Sequence, residues 1–72
     1  MFNVKLVDIG GDGLITDFTP NVETLAETEI LVKGTINQHL GVHSTELDHI
    51  EDLTYSVLVD GLEVGVVVIK SL

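Results

Sequence analysis

The sequence predicts a small α+β fold: a mostly antiparallel β-sheet with one helix, in the order ββαββ, with an all-β fold as the alternative. Three observations predict it. Val, Ile and Thr supply 24 of the 72 residues, and these β-branched types suit a pleated, half-buried surface. Ala26 is the single alanine, so the strongest helix former is nearly missing. Asp60-Gly61 separates two apolar runs, and Asp-Gly in that setting marks a tight two-residue hairpin turn.

The elements follow in order. Phe2 to Ile9 alternates, with Phe2, Val4 and Leu6 on one face and Asn3, Lys5 and Val7 on the other, which reads as a strand. Gly10-Gly11-Asp12-Gly13 is a turn, because glycine adopts positive φ without steric cost. Leu14 to Phe18 is a second short strand, so residues 2–18 form a hairpin. Thr19-Pro20-Asn21 breaks it. Thr24-Leu25-Ala26-Glu27 has the form of a helix-capping box, and Leu25, Val32, Ile36 and Leu40 then share a narrow arc at helical spacing. Gly41 stands where that helix would stop. Against it, Glu29 lies in the same arc, Gly34 interrupts, and a strand from Thr28 to Ile36 is the alternative. Val42 to Asp52 is polar and acidic, with Ser44 placed to cap a short helical turn that carries Leu47 and Ile50 inward. Residues 54–59 and 62–69 are the two strands of the C-terminal hairpin.

Seventy-two residues make one domain, residues 1–72. A chain this short buries only about 60% of its unfolded surface and is marginal alone. It has no cysteine, which removes disulfides and thiolate metal sites as staples. No apolar run approaches the roughly 18 residues of a membrane span, and Met1 to Lys5 lacks the pattern of a signal peptide, so a soluble, cytoplasmic protein is expected.

Twelve acidic residues face three lysines and no arginine, for a net charge of −9, while 44% of the chain is apolar and the mean hydropathy is +0.42. Lys5, Lys33 and Lys70 are too few and too scattered to neutralise phosphates, which excludes direct nucleic-acid binding and disfavours an anionic membrane. Basic protein surfaces are the favoured partners, although net charge of this sign also serves solubility alone.

Three constellations bear on chemistry. Asp8 to Asp17 resembles a calcium-binding loop, with Asp8, Asp12 and Asp17 as candidate ligands and Gly13 at the turn, but Gly10 and Thr19 stand where two further oxygen ligands belong. His39, His43 and His49, with Glu46 and Asp48, hold imidazoles at a spacing that suits zinc, but Gly41 lies between the first two. No nucleophile motif surrounds Ser44, Ser56 or Ser71, and no glycine loop with a following lysine cradles a phosphate. The expectation is a protein without catalytic residues, cofactor or metal.

The last strand carries the sharpest inference. Val64, Val66 and Val68 alternate with Val67 and Ile69, so the strand is apolar on both faces and calls for cover on both. One helix covers one face. The other calls for a second copy or another protein, and Val64, Val66, Val67, Val68 and Ile69 are the expected oligomer interface. The leading functional reading is therefore a small, acidic, non-enzymatic interaction or structural module that acts as a homo-oligomer. The alternative is an acidic inhibitor or DNA mimic, similar in size and charge to small phage or mobile-element proteins. It would present Glu46, Asp48, Glu51 and Asp52 to a basic nucleic-acid-handling protein, with Glu23, Glu27 and Glu29 as a second row.

Overall fold

The computed structural model describes residues 1–72. Strands β1 (Phe2–Val7), β2 (Ile15–Phe18), β3 (Glu46–Glu51), β4 (Thr54–Val59) and β5 (Leu62–Ser71) form one sheet, and a single helix α1 (Leu25–Leu40) lies between β2 and β3 in sequence. The strand order is β2-β1-β5-β4-β3, with every neighbouring pair antiparallel. The order is thus ββαβββ, one strand more than the expected ββαββ. The ten-residue β5 is central and hydrogen-bonded on both sides.

Residues 25–40 are helix rather than strand, with Thr24 as the N-cap, because the local signals agree. The Thr24 hydroxyl oxygen accepts a hydrogen bond from the Glu27 amide at 3.1 Å. The capping box is only half made: the Glu27 carboxylate accepts a hydrogen bond from the Thr24 hydroxyl at 2.8 Å instead of reaching back to the Thr24 amide. At the other end Gly41 adopts φ 68° and its amide bonds to the Asn37 carbonyl, a left-handed cap that glycine makes without a Cβ clash. Thr28, Val32 and Ile36 form the fully buried stripe.

That stripe packs on one face of the sheet. Val4 pairs with Ile69 and Leu6 with Val67; Val67 pairs in turn with Tyr55, and Gly65 with Val57. Because paired residues share a face and neighbours along a strand alternate, these side chains point together at α1. With Ile9 they are the buried core.

The expected polar segment before residue 53 is instead β3. Ser44 caps no helix, and Ile50 is exposed. A register shift between His49 and Glu51 leaves Ile50 outside the ladder with β4. An edge strand bonds to one neighbour only, and here Leu47 alone among its apolar residues reaches the core, so the alternation that advertises a strand is faint. Thr45 is buried, and its hydroxyl donates to the Asn37 side-chain oxygen, which ties the start of β3 to the end of α1.

The glycine-rich turn is more than a hairpin tip. Ile9–Gly11 forms a one-turn 3-10 helix, and buried Ile9 lies over Gly65 of β5. A Cβ at Gly65 would come within 2.5 Å of Ile9 Cδ1 and 3.0 Å of both Ile9 Cα and the Val7 carbonyl oxygen. The backbone neighbours cannot rotate away, so close approach requires glycine there. Gly34, by contrast, sits in α1 with open space at its Cβ position. Gly65→Ala should therefore cost about 1–3 kcal/mol by overpacking, whereas Gly34→Ala should stabilise by about 0.5–1 kcal/mol through helix propensity. Urea unfolding of the two variants beside the parent checks both signs.

Candidate functional site

The face of the sheet opposite α1 carries no covering element. Strand alternation and register place Ile15 and Asp17 of β2, Asn3, Lys5 and Val7 of β1, and Val66, Val68 and Lys70 of β5 there. Ser56, Thr54 and Leu58 of β4 continue the rows to Asp48, Glu51 and Glu46 of β3. Val7, Val66, Val68 and Leu58 are half-buried by their neighbours in the sheet, and Ile15 is 67% exposed. The result is an apolar centre open to solvent.

The five expected interface residues divide between the two faces. Val66 and Val68 lie on the open face. Val67 and Ile69 are buried under the helix, 0% and 3% exposed, and cannot meet a second subunit in this fold. Val64 also leaves the open face. The β4–β5 register passes from Val57–Gly65 to Leu58–Glu63, so Val64 is the extra residue of a bulge, and bulges re-aim side chains; it packs against the core cluster.

Charge is arranged unevenly on the open face. Asp17 accepts from Asn3 Nδ2 at 2.5 Å, and Glu63 accepts from the Ser56 hydroxyl. Lys5 and Lys70 on one side, and Glu46, Asp48 and Glu51 on the other, have no hydrogen-bond or ion-pair partner. The one contact within 4 Å between potentially opposite charges in the chain is His39 Nε2 to Asp12 Oδ2, at 3.5 Å. Lys5 and Lys70 line a shallow depression with Asn3, Asp17, Val68 and Leu72. Asp52, the last of the expected acidic patch, is exposed at the β3–β4 turn with φ 46°.

The candidate metal ligands do not converge. Asp8 Oδ1 accepts from the Gly13 amide at 2.7 Å and Asp12 Oδ1 from the Leu14 amide at 2.8 Å, so both carboxylates hold the loop, while Asp17 bonds to Asn3 on the open face. His39 ends the helix, His43 lies in the connection to β3, and His49 sits in β3 with its ring edge-on to Tyr55, centroids 5.5 Å apart. No group of three or more His, Asp or Glu side chains is close enough to hold a metal ion. No helix is long and apolar enough to cross a membrane.

Glu29, the residue that disturbed the helical arc, has a structural partner. Its carboxylate accepts from the Tyr55 hydroxyl at 2.9 Å, which joins α1 to β4 across the rim of the core. Glu29 is thereby half-buried and Glu27 is engaged at the helix cap, so the second acidic row does not assemble as a surface.

The residues that sequence reasoning missed are Lys5, Lys70, Val7 and Leu58. The alternation of β1 already set Lys5 and Val7 on one side, but only the pairing of β1 with β5, which are 55 or more positions apart in the chain, brings them beside Val66, Val68 and Lys70. No protein-family model matches the sequence, and no curated protein and no solved structure matches it either.

Burial raises the pKa of Tyr55 above the usual 10.0, and the hydrogen bond to Glu29 and the charge of Glu29 raise it further. A phenol whose folded pKa is raised stabilises the fold below its unfolded pKa, and that contribution is lost as pH rises from about 10 through the folded value. Tyr55 is the single tyrosine and there is no tryptophan, so phenolate absorbance reports this group alone. The titration should lie above that of the unfolded chain. Glu29→Gln should lower it partway, because burial remains, and Tyr55→Phe should flatten the loss of stability above pH 10.

Proposed function

We propose that this chain is a small, non-enzymatic protein-interaction module that works as a homo-oligomer through the open face of its sheet. The observation that carries the reading is the uncovered apolar centre formed by Val7, Val66, Val68 and Leu58, flanked by exposed Ile15. The molecule's principal extents of 29 × 21 Å limit the face to at most about 600 Å² in projection, below the roughly 800 Å² per partner of a standard interface. Covering it with a second sheet is the ordinary way to complete such a layer. Several polar groups hold structural roles: Asp8 and Asp12 in the loop, Glu29 on Tyr55, Ser56 on Glu63.

The acidic-inhibitor reading draws support from one feature, the exposure of Glu46, Asp48, Glu51 and Asp52 along a single edge strand and its turn. Acids on an edge strand also keep it from pairing with other chains, which accounts for them without a basic target. The homo-oligomer is therefore the preferred reading.

Light scattering after size exclusion tests it. The parent chain should run as a dimer or larger species, and Val66→Glu with Val68→Glu should run as a folded monomer, with its circular dichroism retained. A parent chain that stays monomeric up to high micromolar concentration overturns the homo-oligomer. If that monomer instead retains a basic nucleic-acid-handling protein at low salt, and neutralising the four acids to Asn and Gln releases it, the inhibitor reading replaces it.

A further inference from the structure

We infer that Asp60-Gly61, at the tip of the β4–β5 hairpin, is a site of spontaneous aspartate isomerisation, and that Asp12-Gly13, the same dipeptide in the loop after β1, is shielded from it. The chain contains these two Asp-Gly pairs and no Asn-Gly pair. Leucine follows in both, Leu62 and Leu14, so the covalent surroundings on the reacting side are alike. What differs is how the fold holds the two reacting groups. The inference is independent of what covers the open face.

The reaction joins an aspartate to the residue after it. The glycine nitrogen, once its proton has left, attacks Cγ of the protonated aspartyl carboxyl group. An N–Cγ bond forms, the Cγ–OH bond breaks and one water leaves, giving a five-membered succinimide. Water then opens the ring at either carbonyl. Opening at the α-carbonyl leaves the main chain running through Cβ and Cγ, which is isoaspartate; opening at the other restores aspartate. The water lost in the first step returns in the second, so the mass is unchanged. Glycine favours ring closure, because no Cβ crowds the attacking nitrogen and its backbone turns freely.

At residues 12–13 both reacting groups are engaged. The Gly13 amide donates to Asp8 Oδ1 at 2.7 Å. Removing that proton leaves an anion against a carboxylate, and like charges so close repel strongly. The Asp12 carboxylate accepts from the Leu14 amide at 2.8 Å, one residue beyond the nitrogen that must attack it. Its other oxygen lies 3.5 Å from His39 Nε2. Ring closure must break these contacts, and losing one charge-assisted hydrogen bond on the way to the barrier slows a reaction about ten-fold or more. At residues 60–61 neither group is held. Both residues are exposed. Val59 pairs with Leu62 across the turn, and the Gly61 amide between them donates to no backbone carbonyl. The Asp60 carboxylate has no hydrogen-bond or ion-pair partner. Isomerisation there adds a main-chain carbon inside a two-residue turn, at the head of the strand that pairs on both sides.

Peptide mapping tests this, because it separates isoaspartyl from aspartyl peptides of equal mass. The folded chain is incubated for weeks in mildly acidic buffer beside a guanidinium-unfolded sample. In the folded chain, isoaspartate should accumulate at residue 60 about ten-fold or more faster than at residue 12. In the unfolded sample the two sites should convert at similar rates. Asp8→Gly removes the acceptor and tolerates the left-handed backbone of residue 8, φ 52°. With its circular dichroism retained, this variant should raise conversion at residue 12. Equal rates at the two sites in the folded chain overturn the inference, as does a residue 60 that converts ten-fold slower folded than unfolded. A folded Asp8→Gly chain in which residue 12 stays inert overturns the shielding by Asp8. If that variant fails to fold, the folded and unfolded rates of the parent still decide.

Discussion

The architecture turns on β5. Its side chains are apolar on both faces, so it sits at the middle of the sheet, where β1 and β4 take up its backbone groups on both sides. The chain must then travel from the β2 edge to the β3 edge, four strand spacings or about 19 Å. The sixteen residues of α1 span about 24 Å at 1.5 Å each, enough for that crossing and little more. Everything else is strand, tight turn or short connection. Its one long segment roofs one face, and none of its other elements lies over the second. The open face therefore follows from topology rather than from a local defect in patterning.

The same economy explains the small devices that seal the core. A helix laid over a five-stranded sheet leaves gaps at its ends. One is filled by Ile9, carried in by a 3-10 turn that only a bare Gly65 allows so close to β5. Toward β4 and β3 the rim is closed by the Glu29–Tyr55 hydrogen bond and the edge-on His49 ring. Thr45 on Asn37 joins the helix C-terminus to the edge strand. Three of these four contacts bring a polar group to the border of the core, and each is paired there, His49 Nε2 with the Asp52 carbonyl oxygen, as burial of hydrogen-bonding groups demands.

What was legible in the sequence is what short-range chemistry dictates. Asp60 and Gly61 both take positive φ, 52° and 79°, as their turn requires, and Thr24 and Gly41 bound the helix from either end. What was not legible depends on partners far off in sequence. Glu29 reads as an intruder in an apolar arc until Tyr55, 26 residues away, supplies its hydrogen bond. Strand β3 carries too few apolar residues to announce itself, because it borrows its order from β4. Val64 looks like the next step of a Val64-Val66-Val68 stripe, yet one unpaired residue reverses its side, since strand periodicity is two and any slip changes the face. The candidate surface suffered most: its need for cover is visible in β5, but its composition comes from five strands whose register no single segment contains.

The edges of the sheet decide which way it can associate. β2 is only four residues long and bears Asp17; β3 bears Glu46, Asp48 and Glu51. Short and charged edges resist strand addition, so end-to-end growth into an open ribbon is opposed at both sides. The broad face has no such defence at its centre, where Val66 and Val68 are bordered by charge but not covered by it. A chain that merely needed solubility would gain more from placing acids at the centre of this face than from crowding them along its β3 edge. Their absence from the centre of the one apolar surface that no element covers, together with their presence on the edge that most needs guarding, is the arrangement that the proposed face-to-face association requires.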